Sequence, residues 1–191
     1  MPKLYNKPDD AALALLAQAM AHHDDLAAAG VRVGVVMVDP ARSETGEPTG
    51  PALGSHHTWA DVRLVGRRQR VYTPLDMLID VDAVRWHELD DPKRVALLDH
   101  ELTHVEVARG DEGQVIMDVD GRPKLRMIED DYLLSGFYAV AERHGADAME
   151  VVGARGLWDK GRQLLFPWAQ GAQSKRKVRI PVAGGGEGRI S

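Results

Sequence analysis

The spacing of apolar residues along the chain predicts an alternation of helices and short strands. Apolar residues at helical spacing over 9–28 predict a first helix that ends near Gly30. Several Gly and Pro residues between 39 and 55 predict a long loop. Runs of β-branched or alternating apolar residues predict three strands, over residues 31–38, 60–66 and 75–81.

A longer stretch, residues 91–109, has the pattern of an amphipathic helix. Asp90 or Asp91 can cap its start, Pro92 suits its first turn and Gly110 can end it. Apolar residues three or four positions apart form a single stripe on this helix, consisting of Val95, Leu98, Leu102 and Val105. The pattern therefore predicts a helix with one buried side.

The remainder of the chain predicts a hairpin, two helices and a tail. The hairpin strands are 114–118 and 123–127, with the turn at Asp120 and Gly121. The helices are predicted over 131–144 and 146–165. This order of elements is typical of an α+β domain with a small mixed or antiparallel sheet.

The chain length predicts one domain. A chain of 191 residues is long enough for one sizeable core and too short for two. We expect this domain to span residues 1–172, with its core over about 30–170. Residues 173–191 are rich in Gly, Lys and Arg and predict a flexible basic tail.

Composition and charge narrow the functional classes. With 44% hydrophobic and 28% charged residues, the chain has the composition of a globular domain. A net charge of −5 gives no general attraction to nucleic acid or to anionic membranes, and a solvated tail is favoured over a nucleic-acid contact. No stretch has the apolar length of a membrane span. The absence of cysteine fits a cytoplasmic protein and excludes Cys-ligated zinc.

Candidate chemistry lies inside the predicted helix 91–109, in the sequence HELTH at 100–104. Residues four apart share a helix face, so His100 and His104 can point two imidazoles at one zinc ion. Glu101 lies beside the same point, where a carboxylate can take a proton from a metal-bound water. Both histidines lie off the apolar stripe. The motif, the helix caps and the position of the histidines relative to the apolar stripe agree. This agreement favours a metal site over two ordinary surface histidines.

A catalytic zinc takes three protein ligands and a water, so a third ligand must come from elsewhere in the chain. The acids Glu129, Asp130 and Asp131 follow His104 by 25–27 residues, after a hairpin that can return the chain. Acids are also favoured at the start of a helix, so one can cap while another binds metal. His144 is the other late candidate.

The surroundings of the motif resemble a known family. The stretch LLDHELTH at 97–104, the strand MLIDV at 77–81 and the Trp86 connector resemble the phage metallopeptidases, small HExxH proteins of bacteriophages and prophages. Further matches are PKLR at 123–126 and AERHG at 141–145, and the resemblance covers about residues 30–170.

The resemblance implies a compact, gluzincin-like zinc-peptidase fold and a position for the third ligand. Members of the family often carry His-Asp or a lone Asp before an aromatic residue, ahead of a helix. Asp130, Asp131 and Tyr132 stand in that place. The resemblance thus implies Asp131 as the third zinc ligand, with Asp130 and Glu129 as alternatives.

Two functional hypotheses follow. The first is a zinc-dependent metallopeptidase in which Glu101 is the general base and an extended peptide pairs with the strand at 75–81. Its partner would be a peptide or protein substrate. The second is a catalytically silent interaction module that zinc stabilises. An open coordination position near Glu101 would favour the enzyme, and a closed four-ligand site would favour the module.

Overall fold

A computed structural model of the chain describes residues 1–54, 58–130 and 136–156. Residues Met1–Ala154 form one compact unit. The predicted tail and most of the predicted helix 146–165 lie outside the described residues, so the boundary at 172 stays a prediction. Within the described part, no helix is long and apolar enough to cross a membrane.

The described residues confirm the predicted α+β class. The strands are β1 (Leu4–Asn6), β2 (Val33–Asp39), β3 (Ala60–Leu64), β4 (Met77–Asp82), β5 (Val105–Val107) and β6 (Leu125–Met127). The α-helices are α1 (Asp10–Met20), α2 (Asp24–Ala28), α3 (Arg67–Arg70), α4 (Ala83–Glu88), α5 (Asp91–Thr103) and α6 (Tyr138–His144). A 3₁₀ turn, Gly145–Asp147, follows α6, and residues 149–156 are again helical.

The main sheet has four strands in the order β1-β2-β4-β3. The central pair, β2 and β4, is parallel, with Val35 opposite Ile79. The outer strands β1 and β3 run antiparallel to their neighbours. The sheet is therefore mixed, as predicted. It also corrects one expectation, because β4 lies between two strands and has no free edge for a substrate.

One face of this sheet supports the helix that carries the HELTH sequence. Met77, Ile79 and Val81 of β4 are completely buried, because alternate residues of a strand point to the same face. They belong to a single core with the apolar sides of α1 and α5. Burial of this face fixes the position of α5 against the sheet.

Helix α5 begins as predicted but ends earlier. The Asp90 side chain accepts a hydrogen bond from the Lys93 backbone N–H at 3.3 Å, which caps the helix. The helix was predicted to continue to Arg109, and this was wrong: it ends at Thr103, and β5 follows. Val105 is buried in either conformation, so the apolar stripe did not distinguish the two.

The N-terminal and C-terminal helices also differ from the prediction. The first helix is interrupted, because α1 ends at Met20 and α2 begins at Asp24. The expected end near Gly30 is confirmed by its φ of 71°. In the C-terminal region the predicted helix 131–144 begins only at Tyr138 in the described residues. Glu129 and Asp130 consequently lie in a loop after β6, not in the first turn of a helix.

The predicted hairpin turn is present, although the pairing around it is different. Gly121 has a φ of 73°, and Met117 bridges Pro123 across the turn. β6 pairs with β5, so the chain after the turn runs back alongside the end of α5. This return places residue 130 near the HELTH sequence.

The hairpin is fastened to the main sheet by a buried acid. Asp76, which is fully buried before β4, accepts a hydrogen bond from Arg122 at 3.4 Å and one from the Arg32 backbone N–H at 2.9 Å. The same Arg122 guanidinium donates to the Leu75 carbonyl at 3.0 Å. These contacts give Asp76 a structural role in the connection between sheet and hairpin.

We expect Leu98→Ala to destabilise the protein by about 2–5 kcal/mol, since it removes a completely buried side chain from the core face of α5. The matched control is Leu13→Ala on α1, whose side chain is 45% exposed and should cost roughly 0.5 kcal/mol. Urea unfolding of the two variants measures the difference. Equal losses would contradict the assignment of α5 to the core.

Candidate metal centre

The two histidines of the HELTH sequence lie at the C-terminal end of α5. His100 is in the last turn, and His104 is the first residue after the helix, with φ −65° and ψ −11°. Because His104 keeps helical dihedral angles, the two side chains still share one face. Their ring centroids are 4.9 Å apart, and the rings are nearly perpendicular.

Hydrogen bonds fix the orientation of both rings. His100 Nδ1 lies 2.7 Å from the Glu150 carboxylate, and His104 Nδ1 lies 2.9 Å from the backbone carbonyl of Ile128. Both partners are acceptors, so each Nδ1 carries a proton and donates it. In the neutral ring, each Nε2 is then left with a free lone pair, which is the form of imidazole that binds metal ions.

Asp130 completes a group of three possible ligands. Its Oδ1 lies 3.9 Å from His100 Nε2 and 3.5 Å from His104 Nε2. All three ligand atoms lie within 4.8 Å of one another. Ligand atoms held at about 2.0–2.2 Å around a four-coordinate ion are separated by roughly 3.3–3.6 Å. The spacing in the structure is close to this range.

The Asp130 carboxylate supplies a test of whether a metal ion fits this site. Its Oδ1 is buried and has no hydrogen-bond partner among the described residues, although the side chain as a whole is 40% exposed. A buried carboxylate oxygen without a partner carries a desolvation cost. A cation between this oxygen and two imidazole lone pairs would remove that cost. The three residues therefore fit a metal ion.

Phe137 forms an apolar wall of the site. Its ring centroid is 5.4 Å from that of His100 and 4.8 Å from that of His104. Phe137 itself is buried, so both rings pack against a fixed surface. Such packing limits the rotation of the two imidazoles.

Glu101 lies on the buried side of the same turn and is 5% exposed. Burial raises the pKa of Glu101 to about 7; His100 and a hydrogen bond from the Val62 backbone N–H oppose that rise, and Asp61 adds to it. The bond to Val62 connects Glu101 to strand β3. The carboxylate is thus held between the helix and the edge of the sheet.

His100 also has a perturbed pKa. Burial tends to lower it, but the hydrogen bond to Glu150 and the nearby carboxylates of Glu101 and Asp130 outweigh that effect, so the pKa of His100 is raised. The acids around the ring favour positive charge at this point. A bound cation satisfies the same requirement.

A second buried acid, Asp99, fastens α5 to α6. It accepts hydrogen bonds from Arg143 at 2.9 Å, from His144 Nε2 at 2.8 Å and from His23 Nε2 at 2.7 Å. Burial tends to raise the pKa of Asp99, and these bonds lower it below its ordinary value. His144, a late candidate for the third ligand, is therefore a partner of Asp99.

The structure brings together only part of the predicted ligand set. Among the described residues, His100 and His104 lie with Asp130, which was an alternative, while Glu129 is exposed and is not in this group. Asp131, the leading candidate, lies outside the described residues, so its role stays a prediction. Sequence reasoning missed Glu150 and Phe137, because nothing in their local sequence distinguishes them from ordinary helix and loop residues.

The fold is that of a small α+β protein, and His100, His104 and Asp130 form a group that could hold a metal ion. The model of a protein family described as "Putative phage metallopeptidase" matches residues 11–156, well over half of the chain. The chain therefore belongs to this phage metallopeptidase family, as the sequence resemblance predicted. Membership of a metallopeptidase family implies a metal ion. Searches of curated proteins and of solved structures found no match.

We expect Asp99→Asn to destabilise the protein by about 3 kcal/mol or more, because it leaves the Arg143 charge without its buried partner. Asp91→Asn is the control, since Asp91 forms an exposed pair with Arg94 and should cost less than about 1 kcal/mol. Chemical unfolding of both variants decides the point. A loss as small as that of the control would mean that Asp99 does not hold α5 and α6 together.

Proposed function

We propose that the protein is a zinc-dependent metallopeptidase that hydrolyses peptide bonds. His100, His104 and Asp130 would hold the zinc, and Glu101 would be the general base. The observation that carries this proposal is the convergence, beside Glu101, of two imidazole Nε2 atoms and a carboxylate oxygen that has no hydrogen-bond partner in the described part of the chain. Membership of the phage metallopeptidase family supports it.

Zinc, when bound, would lower the pKa of a water and polarise the carbonyl of the scissile peptide. Glu101 would take a proton from the attacking water and pass it to the departing amine. The Val62 N–H favours the charged form of this carboxylate, which is the form that accepts a proton. The side chains of His100 and His104 stay in place because their Nδ1 protons are engaged elsewhere.

Strand β3 is the element best placed to hold an extended substrate. It is one of the two outer strands of the sheet in the described residues and contacts α5, whereas β4 is central. The bonds from Asp82 N to the Trp59 carbonyl and from Val65 N to the Asp76 carbonyl flank the ladder. Asp61 and Arg63 therefore pair with β4, and the backbone groups of residues 60, 62 and 64 point away from it.

The free edge of β3 and the general base thus meet at Val62. The Val62 N–H is taken by Glu101, so a peptide that pairs with the outward backbone groups of residues 60 and 64 would run past Glu101. We propose this edge, in place of the strand at 75–81, as the binding surface for a peptide or protein substrate. Recognition through the main chain would accept many sequences, so specificity would depend on neighbouring side chains.

Among the described residues, the number of candidate ligands is three, which favours an enzyme over a silent zinc-stabilised module. Three protein ligands leave one position of a tetrahedral ion for water, whereas structural zinc sites are closed by four. Burial of the Glu101 carboxylate beside the site also costs free energy. A role as general base accounts for an acid at this buried position. Peptide turnover by the zinc-loaded protein distinguishes the two functions.

We expect one zinc ion per chain, and His100→Ala or His104→Ala should weaken zinc binding by more than about 100-fold, because outer ligand partners alone are worth about 10–100-fold. Asp130→Ala should do the same, while Glu129→Ala, which removes an exposed acid, should bind zinc as the wild type does. Titration against a chelating indicator measures each affinity. If Asp131→Ala loses zinc while Asp130→Ala retains it, Asp131 is the third ligand.

We expect Glu101→Gln to keep the fold and the zinc affinity but to lose peptide hydrolysis by at least about 100-fold, since general bases contribute about 10²–10⁴-fold. The substitution suits a buried position because glutamine is neutral and of similar size. Turnover is measured on a library of quenched fluorescent peptides at equal zinc occupancy. A zinc-loaded wild type without turnover would favour the silent module, and near-normal activity of the variant would remove Glu101 as the base.

A further inference from the structure

Glu150 is a buried acid that no part of the proposed reaction uses directly. It lies in the helical residues 149–156 and is 4% exposed. Its Oε1 accepts a hydrogen bond from His100 Nδ1 at 2.7 Å and another from the Phe137 backbone N–H at 3.3 Å. We propose that Glu150 is a positioning residue that sets the tautomer and orientation of His100 for metal binding. This inference rests on the proposed function.

The surroundings of Glu150 are shaped to admit this side chain. A Cβ atom added at Gly136 would overlap with the Glu150 Cγ, so a side chain at this position could be accommodated only if Glu150 moved. Any side chain at 136 would therefore displace Glu150 from His100. The missing side chain at position 136 creates the space through which the carboxylate reaches the metal centre.

The energetic balance of Glu150 also points toward the metal centre. Its Oε2 is buried and has no hydrogen-bond partner among the described residues. A buried, half-satisfied carboxylate is unfavourable for stability alone, because its charge is removed from water. The hydrogen bond to His100 places this negative charge beside a candidate metal ligand. A cation on the opposite nitrogen of the ring would be stabilised by that charge.

The two histidines differ in how they are held. The carboxylate of Glu150 accepts the proton of His100 Nδ1, whereas a neutral backbone carbonyl, that of Ile128, accepts the proton of His104 Nδ1. Only the first of these partners can be removed by a side-chain substitution. His104 therefore serves as an internal reference for any effect on His100.

The experiment follows the tautomers of both histidines and the affinity for zinc. Nitrogen-15 NMR of the full-length, metal-free protein should show the Nδ1-protonated tautomer at His100 and His104 in the wild type. In Glu150→Ala the Nδ1-protonated form of His100 should lose its dominance, with His104 unchanged. Zinc affinity should fall about 10–100-fold in this variant, the usual cost of losing an outer ligand partner.

Glu150→Gln separates positioning from charge and from folding. Its amide oxygen can still accept the His100 proton, so the Nδ1-protonated tautomer should be rescued, with a zinc affinity between those of Glu150→Ala and the wild type. Asp76→Asn provides the control for loss of a buried acid away from the site, and Glu106→Gln the control for loss of a nearby charge. Neither should change the His100 tautomer, because neither side chain contacts the ring.

The outcomes distinguish this inference from the proposed function. A wild type that binds no zinc would overturn both. A wild type that binds zinc, together with a Glu150→Ala variant of unchanged affinity and unchanged His100 tautomer, would overturn the role of Glu150 and leave the metallopeptidase proposal intact. If Glu150→Ala does not fold, the zinc affinity of Glu150→Gln decides, because an affinity equal to that of the wild type would contradict a contribution of the Glu150 carboxylate to the site.

Discussion

Three carboxylates are buried around the last turns of α5, and the site depends on how each of them is compensated. Asp99 faces away from the candidate metal centre and is neutralised by Arg143, with two histidines beside it. Among the described residues, a backbone N–H and the nearby His100 favour the charged form of Glu101, but burial outweighs them and raises its pKa. Glu150 bonds to His100. Burial removes all three carboxylates from water, and the roles differ because the compensation differs. Asp99 connects helices, Glu101 is the candidate base and Glu150 supports a candidate ligand.

The hydrogen bonds that neutralise Asp99 also affect the position of the site. Its partners come from α6 and from the junction of α1 and α2, so one side chain holds three elements together. Phe137 immediately precedes α6 and packs against both candidate ligands. The apolar wall of the metal centre thus takes its position from a charge network on another side of the helix.

The site residues within the HELTH sequence could be predicted from the sequence. Those that come from distant parts of the chain could not be predicted with the same certainty of position. His100, Glu101 and His104 follow from the period of a helix, which is a short-range property. Asp130 required knowledge of how the chain returns after the hairpin, and the pairing of β6 with β5 could not be distinguished from a simple hairpin by alternation alone. Glu150 follows His100 by 50 positions, and no local pattern connects the two. The early end of α5 was missed because Val105 satisfies both a helical and a strand pattern.

The distribution of the site over the chain links metal binding to folding. α5 supplies His100, and His104 follows it directly. The loop after β6 supplies Asp130 and the Ile128 carbonyl, and residues 137 and 150 supply the wall and the support. An unfolded chain keeps only the pair of histidines four residues apart, which is a weaker site than the full set. A metal ion bound to all these elements would therefore stabilise the folded state by the difference between the two affinities. Because the ligands come from both sides of the hairpin, that stabilisation would act on the contact between α5 and the C-terminal half of the described chain. Asp130 and Glu150, which each have one buried oxygen without a hydrogen-bond partner among the described residues, lie at this contact.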